Sequence, residues 1–497
     1  MNSKRAILAL AVCALIGAGP VAAYGSAGYT IAENFAGGDY SSSGYYPPDT
    51  DGAVGGGDVM EFINGYVGVY NTTGSLLSSS SLSSFWSNAG VTPGDGIYPG
   101  DVRVVYDSSV DRWFASSDTF SSPQAGNNQL LVAVSQNSSP LGAWSGFAIN
   151  SSPSDTGLWA DYPTLGVNGQ GVFINANMFT TGGNPTSNSI DVLSIPKASL
   201  LVATASISGY QLLQGVSASI HGYAVQPINN FAANMPETMY ANYASSGGTD
   251  YIAQSQLSGD ITSSPTLSKS ENLATTTGYS GPVSSPQSGS NILVDAVDNR
   301  FGGSLYQQPA NSTSAGEVWE VITVQNPSNS ALDALQWMRI NPNTNTIDAS
   351  GLLSDPNLSF YDGSIAVTPD GHIVIGFSAS SPSTDPSAYA YIGSYDASTG
   401  GTNFNHLVPL IAGTSPVTLG GDATTPARFG DYSTTVLDPT NPDAVWTFNE
   451  FGGGSGWNTQ ISEIAFTPVP EPATLALLAL GTLALLARRK KRCEPPG

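Results

Sequence analysis

Five aspartates recur just ahead of short apolar runs: Asp51, Asp101, Asp161, Asp362 and Asp431, with Tyr162 and Tyr432 directly after two of them. Beyond a Gly/Asp/Asn turn, matching second runs carry Asn175 and Asn177, or Asn449 and Glu450. If the runs pair as strands, the acids and the far ends of the second runs lie at one end of each pair. Carboxylates gathered so densely raise one another's pKa or hold a hard cation such as calcium. An Asp before a strand also serves simply to bind backbone amides of its own turn. Only five arginines stand between 24 and 467, namely Arg103, Arg112, Arg300, Arg339 and Arg428. Arg103, Arg300 and Arg428 flank acidic lead-ins, where they could grip a carboxylate bidentately or pair with the surplus acids. The candidate ligand contacts are therefore Asp161, Tyr162, Asn177, Arg300, Arg428, Asp431 and Tyr432. Asp161 or Asp431 with Glu450 is the candidate acid pair, should the chain cleave glycosidic bonds. Asp49-Thr50-Asp51-Gly52 with Asp58 begins like a calcium loop, although the later ligand spacing is missing, and calcium is the one cofactor suggested.

Other chemistries find little support. His221, His372 and His406 are far apart, and neither His-Glu-x-x-His nor Gly-x-Ser-x-Gly occurs, which argues against zinc and serine hydrolases. Cys13 and Cys493 lie in terminal segments expected to be removed, so the mature body has no thiol, disulfide or Cys-ligated metal. Trp159, beside Asp161, is the tryptophan suited to sugar stacking; the others read as core. Over 24–467, seven basic residues face 35 acidic ones, which argues against nucleic acid and anionic lipid surfaces as partners.

The elements that must position these residues are strands. The body shows no apolar stripe of helical period, whereas short alternating runs rich in Val, Ile, Tyr, Phe and Trp abound. Asp161–Val167 with Val172–Asn177, Tyr361–Val367 with Ile373–Phe377, and Asp431–Leu437 with Val445–Glu450 are copies of one unit. Asp101–Tyr106 with Arg112–Ser116 and Asp51–Val54 with Val59–Ile63 are earlier copies. Degenerate units near His221 and Asp295 bring the number to seven. Such flaps bury one face only and need neighbours, so the expectation is an all-β, seven-bladed propeller over 24–467. After Asp431 there is room for three strands, and Tyr29–Phe35 can supply the fourth, closing the ring without open edges.

Both ends read as addresses. Lys4 and Arg5, the apolar run Ala6–Gly17 and Pro20-Val21-Ala22-Ala23 form a signal peptide over 1–23 for signal peptidase. At the other end, Val469-Pro470-Glu471-Pro472, a fifteen-residue apolar helix over 473–487 and Arg488-Arg489-Lys490-Lys491-Arg492 occupy 468–497. This tripartite tail resembles the PEP-CTERM sorting signal of Gram-negative bacteria. The resemblance implies processing by an exosortase and delivery across the inner membrane to the cell surface or extracellular matrix, often alongside exopolysaccharide. An ordinary membrane anchor is the alternative. The turn Leu437–Asp443 resembles those of sialidase-type propellers, although no full Ser-x-Asp-x-Gly-x-x-Trp box is present. Pro48–Gly55, Arg103–Asp107 with Arg112–Phe114, Asp161–Gly166 and Gly430–Ser433 resemble a functionally uncharacterised family of secreted bacterial proteins. That likeness implies a propeller-like body and transfers no catalytic residue. The expected function is binding of extracellular polysaccharide or another envelope component. A glycan-cleaving enzyme and a ligand-free matrix scaffold are the alternatives.

Overall fold

A computed structural model describes residues 28–467, apart from 183–186, 247–248, 276–277, 304, 308–315 and 455. The signal peptide over 1–23 and the apolar helix over 473–487 lie outside the described residues. Residues 31–465 form one compact unit; in the other, the Thr467 amide donates to the Gly28 carbonyl (2.9 Å).

Seven antiparallel sheets of four strands make the body. Blade 1 comprises Asp51–Gly55, Asp58–Ile63, Tyr66–Asn71 and Leu76–Ser81, from the innermost strand outward. Blade 2 follows with Ile97–Asp107, Arg112–Ser121, Gln129–Ser135 and Trp144–Asn150, and blade 3 with Leu158–Val167, Gly171–Thr180, Ser187–Pro196 and Gln211–Ser217. Blade 4 has Gln226–Pro227, Glu237–Ser246, Thr249–Ser258 and Thr266–Ala274; blade 5 has Leu305–Gln307, Glu317–Gln325, Asp333–Asn341 and Thr346–Leu353. Blade 6 consists of Ser359–Val367, His372–Ser381, Thr384–Asp396 and Gly401–Ile411. Blade 7 takes Thr434–Leu437, Ala444–Gly453 and Gly456–Phe466 from the end of the body, and its outer strand is Tyr29–Asp39. The ring is closed as the sequence predicts, one blade being shared between both ends.

Burial explains the pattern of each strand. Second strands such as His372–Ser381 and Ala444–Gly453 are buried along their whole length, covered by a neighbouring blade on each face. The outer strands Tyr29–Asp39 and Gly401–Ile411 alternate between covered and wet positions, because only one face meets protein. Aromatic and branched side chains fill the spaces between blades: Phe62, Trp86 and Trp113 between blades 1 and 2, and Trp319, Phe360 and Phe377 between blades 5 and 6.

Three expectations need correction. Among the described residues four short helices are present, the longest being Leu82–Asn88, capped by the Ser81 side chain on the Ser84 amide and buried through Leu82, Phe85 and Trp86. At seven residues it is too short to show a periodic stripe. The innermost strands of blades 2 and 3 begin at Ile97 and Leu158, before Asp101 and Asp161, whereas that of blade 5 begins at Leu305, well past Asp295. Asp101, Asp161 and Asp362 thus sit inside strands, where the register slips between Gly100 and Arg103, Asp161 and Thr164, and Tyr361 and Ser364. At each slip one residue is left-handed: Asp101 (φ 49°), Tyr162 (φ 55°) and Asp362 (φ 52°). Asp49 (φ 51°) and Ala224 (φ 48°) do the same two residues ahead of the innermost strands of blades 1 and 4. The counterpart of Asp101 in blade 3 is therefore Tyr162, one residue beyond the acid that the sequence comparison matches to it.

Candidate functional site

The left-handed turns bring the chain to one mouth of the central channel, and their backbone amides need acceptors. Neighbouring blades supply them. The Asp101 amide donates to Asn64 Oδ1 (2.9 Å), the Tyr162 amide to Asp101 Oδ2 (3.0 Å) and the Ala224 amide to Asn177 Oδ1 (2.8 Å). On the other side, the Thr50 amide donates to Glu450 Oε1 (3.2 Å) and the Asp431 amide to Asp49 Oδ1 (3.0 Å). Asp51 and Asp101, like Asp49 ahead of them, do bind backbone amides, but they tie blade to blade rather than closing their own turns.

Just inside the mouth the channel is plugged. The Arg103 guanidinium lies 3.3 Å from the ring centre of Tyr432 and 5.3 Å from that of Tyr162, while Arg300 lies 4.1 Å from Tyr162. Arg103 donates to the carbonyls of Gly302 (2.7 Å) and Pro163 (3.4 Å) and pairs with Asp51 (3.6 Å). The two tyrosine hydroxyls donate to the Phe301 carbonyl (3.1 Å) and the Val102 carbonyl (2.8 Å). Below the plug, a cavity of about 520 Å³ runs to the hairpin turns at Pro369 and Asp438–Pro439, and only Asp51, Arg103 and Asp438 bring charge to it.

Above the plug the acids crowd together. Two irregular segments, 278–303 and 412–433, cover the side of the mouth formed by blades 6, 7 and 1, packing Val294, Ala296, Val417, Ala427 and Phe429 against Tyr361 and Trp457. Beneath them, burial raises the Glu450 carboxyl to about 8. Burial, then repulsion from Glu450, holds Asp362 well above the carboxylate range. Burial followed by Asp431 and Asp101 does the same to Asp49. On the side of blades 2 and 3, burial and then Asp161 raise Asp101 to about 7, and burial opposed by Arg300 leaves Asp161 at about 6.

The predicted residues divide into two groups. Tyr162, Tyr432 and Asn177 are buried and bonded within the protein, so they offer no surface to a ligand. Asp161, Arg300, Arg428 and Asp431 keep some exposure: Arg300 pairs with Asp298 (2.8 Å) and Asp431 (3.8 Å), and Arg428 with Asp295 (3.2 Å) and Asp431 (2.5 Å). Glu450 is fully buried, which removes it from an acid pair that must reach a glycosidic bond. Asp58 does not join Asp49 and Asp51. It pairs with Gly55 at the far end of the blade 1 hairpin, roughly 13 Å along the strand from Asp51, so the three do not form one calcium loop. Asp49 is taken up by Asn64 and the Asp431 amide, and Asp51 by Arg103 and the Val104 amide.

Sequence reasoning missed Asp118, whose carboxyl oxygen lies within 4.8 Å of those of Asp101 and Asp161. Of the aromatic rim above these acids it singled out Trp159 but missed Phe120 and Phe179. Phe120 and Trp159 stand two residues from Asp118 and Asp161, hence on the same strand faces. Their rings meet at 6.2 Å, and Trp159 meets Phe179 at 5.5 Å. All three remain part-exposed, whereas the other seven tryptophans are buried. The spacing of Phe120 from Asp118 was visible; the register that faces it toward Trp159 was not.

Residues 468–492 match the PEP-CTERM protein-sorting motif. The chain carries that sorting signal behind a seven-bladed propeller. The motif marks an exported, envelope-directed protein processed by an exosortase. No curated protein matches the sequence. Among solved structures, the body is similar to a protein of unknown function from Dyadobacter fermentans, at 10% identity and a TM-score of 0.39, over 75% of this chain and 96% of that one. The Dos1 propeller is similar at 10% identity and a TM-score of 0.38, over 84% and 78% of the two chains. Trypanosoma rangeli sialidase in complex with sialic acid is similar at 12% identity and a TM-score of 0.35, over 76% of this chain and 55% of that one.

Proposed function

We propose that this exported propeller binds extracellular polysaccharide at the mouth between blades 2 and 3. The observation that carries the reading is Trp159, the one tryptophan left part-exposed, set between Phe120 and Phe179 directly beside Asp161. A flat apolar face next to polar, hydrogen-bonding groups suits a sugar ring, which presents C–H groups on its faces and hydroxyls at its edges. Arg428 and Asp431 extend the polar part of the rim toward blade 7. The burial of Glu450 favours binding over glycoside cleavage. Affinity electrophoresis of the full-length protein through gels containing bacterial exopolysaccharides tests this. The native chain should be retarded by at least one acidic or neutral polysaccharide. Trp159→Ala should weaken the interaction about tenfold, equivalent to about 1.4 kcal/mol, while Leu141→Ala, at an exposed site in blade 2, should leave it unchanged. Equal retardation of the Trp159 variant would remove the rim from the account.

A further inference from the structure

We propose that Asp101, Asp118 and Asp161 form a site for one calcium ion in the gap between blades 2 and 3. The three carboxyl oxygens lie within 4.8 Å of one another. Calcium–oxygen bonds of about 2.3–2.6 Å allow two ligands of one ion to be at most about 5 Å apart, whereas magnesium, at about 2.0–2.1 Å, demands a tighter set. The second, independent observation is Asp118 itself. It is fully buried on the second strand of blade 2, opposite Gly100, and neither carboxyl oxygen has a hydrogen-bond partner. An anion taken out of water with nothing to meet it is unfavourable, and a hard cation shared with two neighbouring carboxylates satisfies it.

Nothing else nearby fills that role. Among the described residues none of the three acids belongs to a salt bridge, because Arg300 makes its pairs with Asp298 and Asp431. Asp101 gives one oxygen to the Tyr162 amide. Asp161 is part-exposed and opens the gap to solvent, so an ion can enter past the rim. Three protein carboxylates supply part of the six to eight oxygens that calcium takes, and water completes the shell. Burial, with repulsion from neighbouring carboxylates, pushes all three carboxyls up, so protons are the competing occupant and calcium binding releases them. The site stands whether or not the mouth binds polysaccharide.

Equilibrium dialysis of the full-length protein against radioactive calcium, after chelator treatment and at about 0.15 M salt to screen the acidic surface, tests the proposal. One ion per chain should bind with a dissociation constant of about 10⁻⁴ M, in the range of extracellular calcium modules, and raise the melting temperature. Asp118→Asn should abolish that ion. Without calcium it should melt at or above the parent, since a buried unpartnered acid is gone; Asp161→Asn, nearer the surface, should weaken binding at least tenfold. Asp260→Asn, at an exposed turn, should bind as the parent does. Absence of the ion at concentrations about tenfold above that constant, or equal binding by Asp161→Asn and Asp260→Asn, would overturn the site and leave the carboxyls to their protons.

Discussion

At the scale of single residues, the central fact is that the protein supplies its own ligand for the aromatic pair at the mouth. The repeated Asp-Tyr of Asp161-Tyr162 and Asp431-Tyr432 was visible in the sequence, and so was the placement of Arg103. What spacing could not show is that both rings close on Arg103, a contact between blades 2, 3 and 7. Removing the guanidinium leaves Asp51 buried without its cation and the rings without their filling. Arg103→Met should therefore cost about 3–5 kcal/mol, read from urea denaturation. Arg103→Lys should recover little, because an ammonium has no planar face to lie between two rings. A Met variant as stable as the parent would show the plug to be passive.

At the scale of strands, legibility follows burial. The two-stranded units of blades 1, 2, 3, 6 and 7 were visible because their second strands are apolar on both faces, as in Val172-Phe173-Ile174 and Val445-Trp446-Thr447-Phe448. Blade 4 showed only as a degenerate unit near His221, since its innermost strand is only Gln226–Pro227. The covering segments 278–303 and 412–433 have no period at all; tertiary contacts such as the Ser285–Val294 and Val294–Ala427 bridges hold them. Asp118 stands in Ala115-Ser116-Ser117-Asp118-Thr119, a polar run whose burial only the packing of blades 2 and 3 decides. How closely blades pack is set by glycines. A Cβ on Gly52 would fall 2.4 Å from the ring of Phe448, which Val54, Trp446 and Ile461 hold in place. Gly52→Ala should thus destabilise by about 1–3 kcal/mol, while Gly281→Ala, which meets nothing within 4 Å, should be close to neutral. Matching thermal melts of the two variants would mean that blades 1 and 7 have slack between them.

For the whole molecule, the acids of the mouth make stability depend on pH in a direction opposite to that of most salt-bridged proteins. A carboxyl whose pKa is higher in the folded chain keeps its proton there while the unfolded chain has lost it. The stability it lends is complete below the ordinary value and disappears as pH rises through the folded one. Asp51 and Asp101 stand at about 7, Asp161 at about 6 and Glu450 at about 8, against ordinary values of 3.8 and 4.5, so the window runs from about 4 to about 8. Asp298, held low by Arg300 against the pull of burial, works the other way, as do His221 and His372, whose burial penalises the imidazolium below about 6.5. The mouth acids outnumber these, and the excess of acidic over basic residues in the body, 35 against seven, adds repulsion as pH rises. Urea midpoints measured in chelator should therefore fall from pH 5 to pH 8. Calcium should shrink that fall, because an ion between Asp101, Asp118 and Asp161 takes the place of their protons. A midpoint that rises across this interval would mean that the carboxylates are stabilised by partners other than the neighbours seen at the mouth, and that the crowding there is relieved on folding rather than created by it.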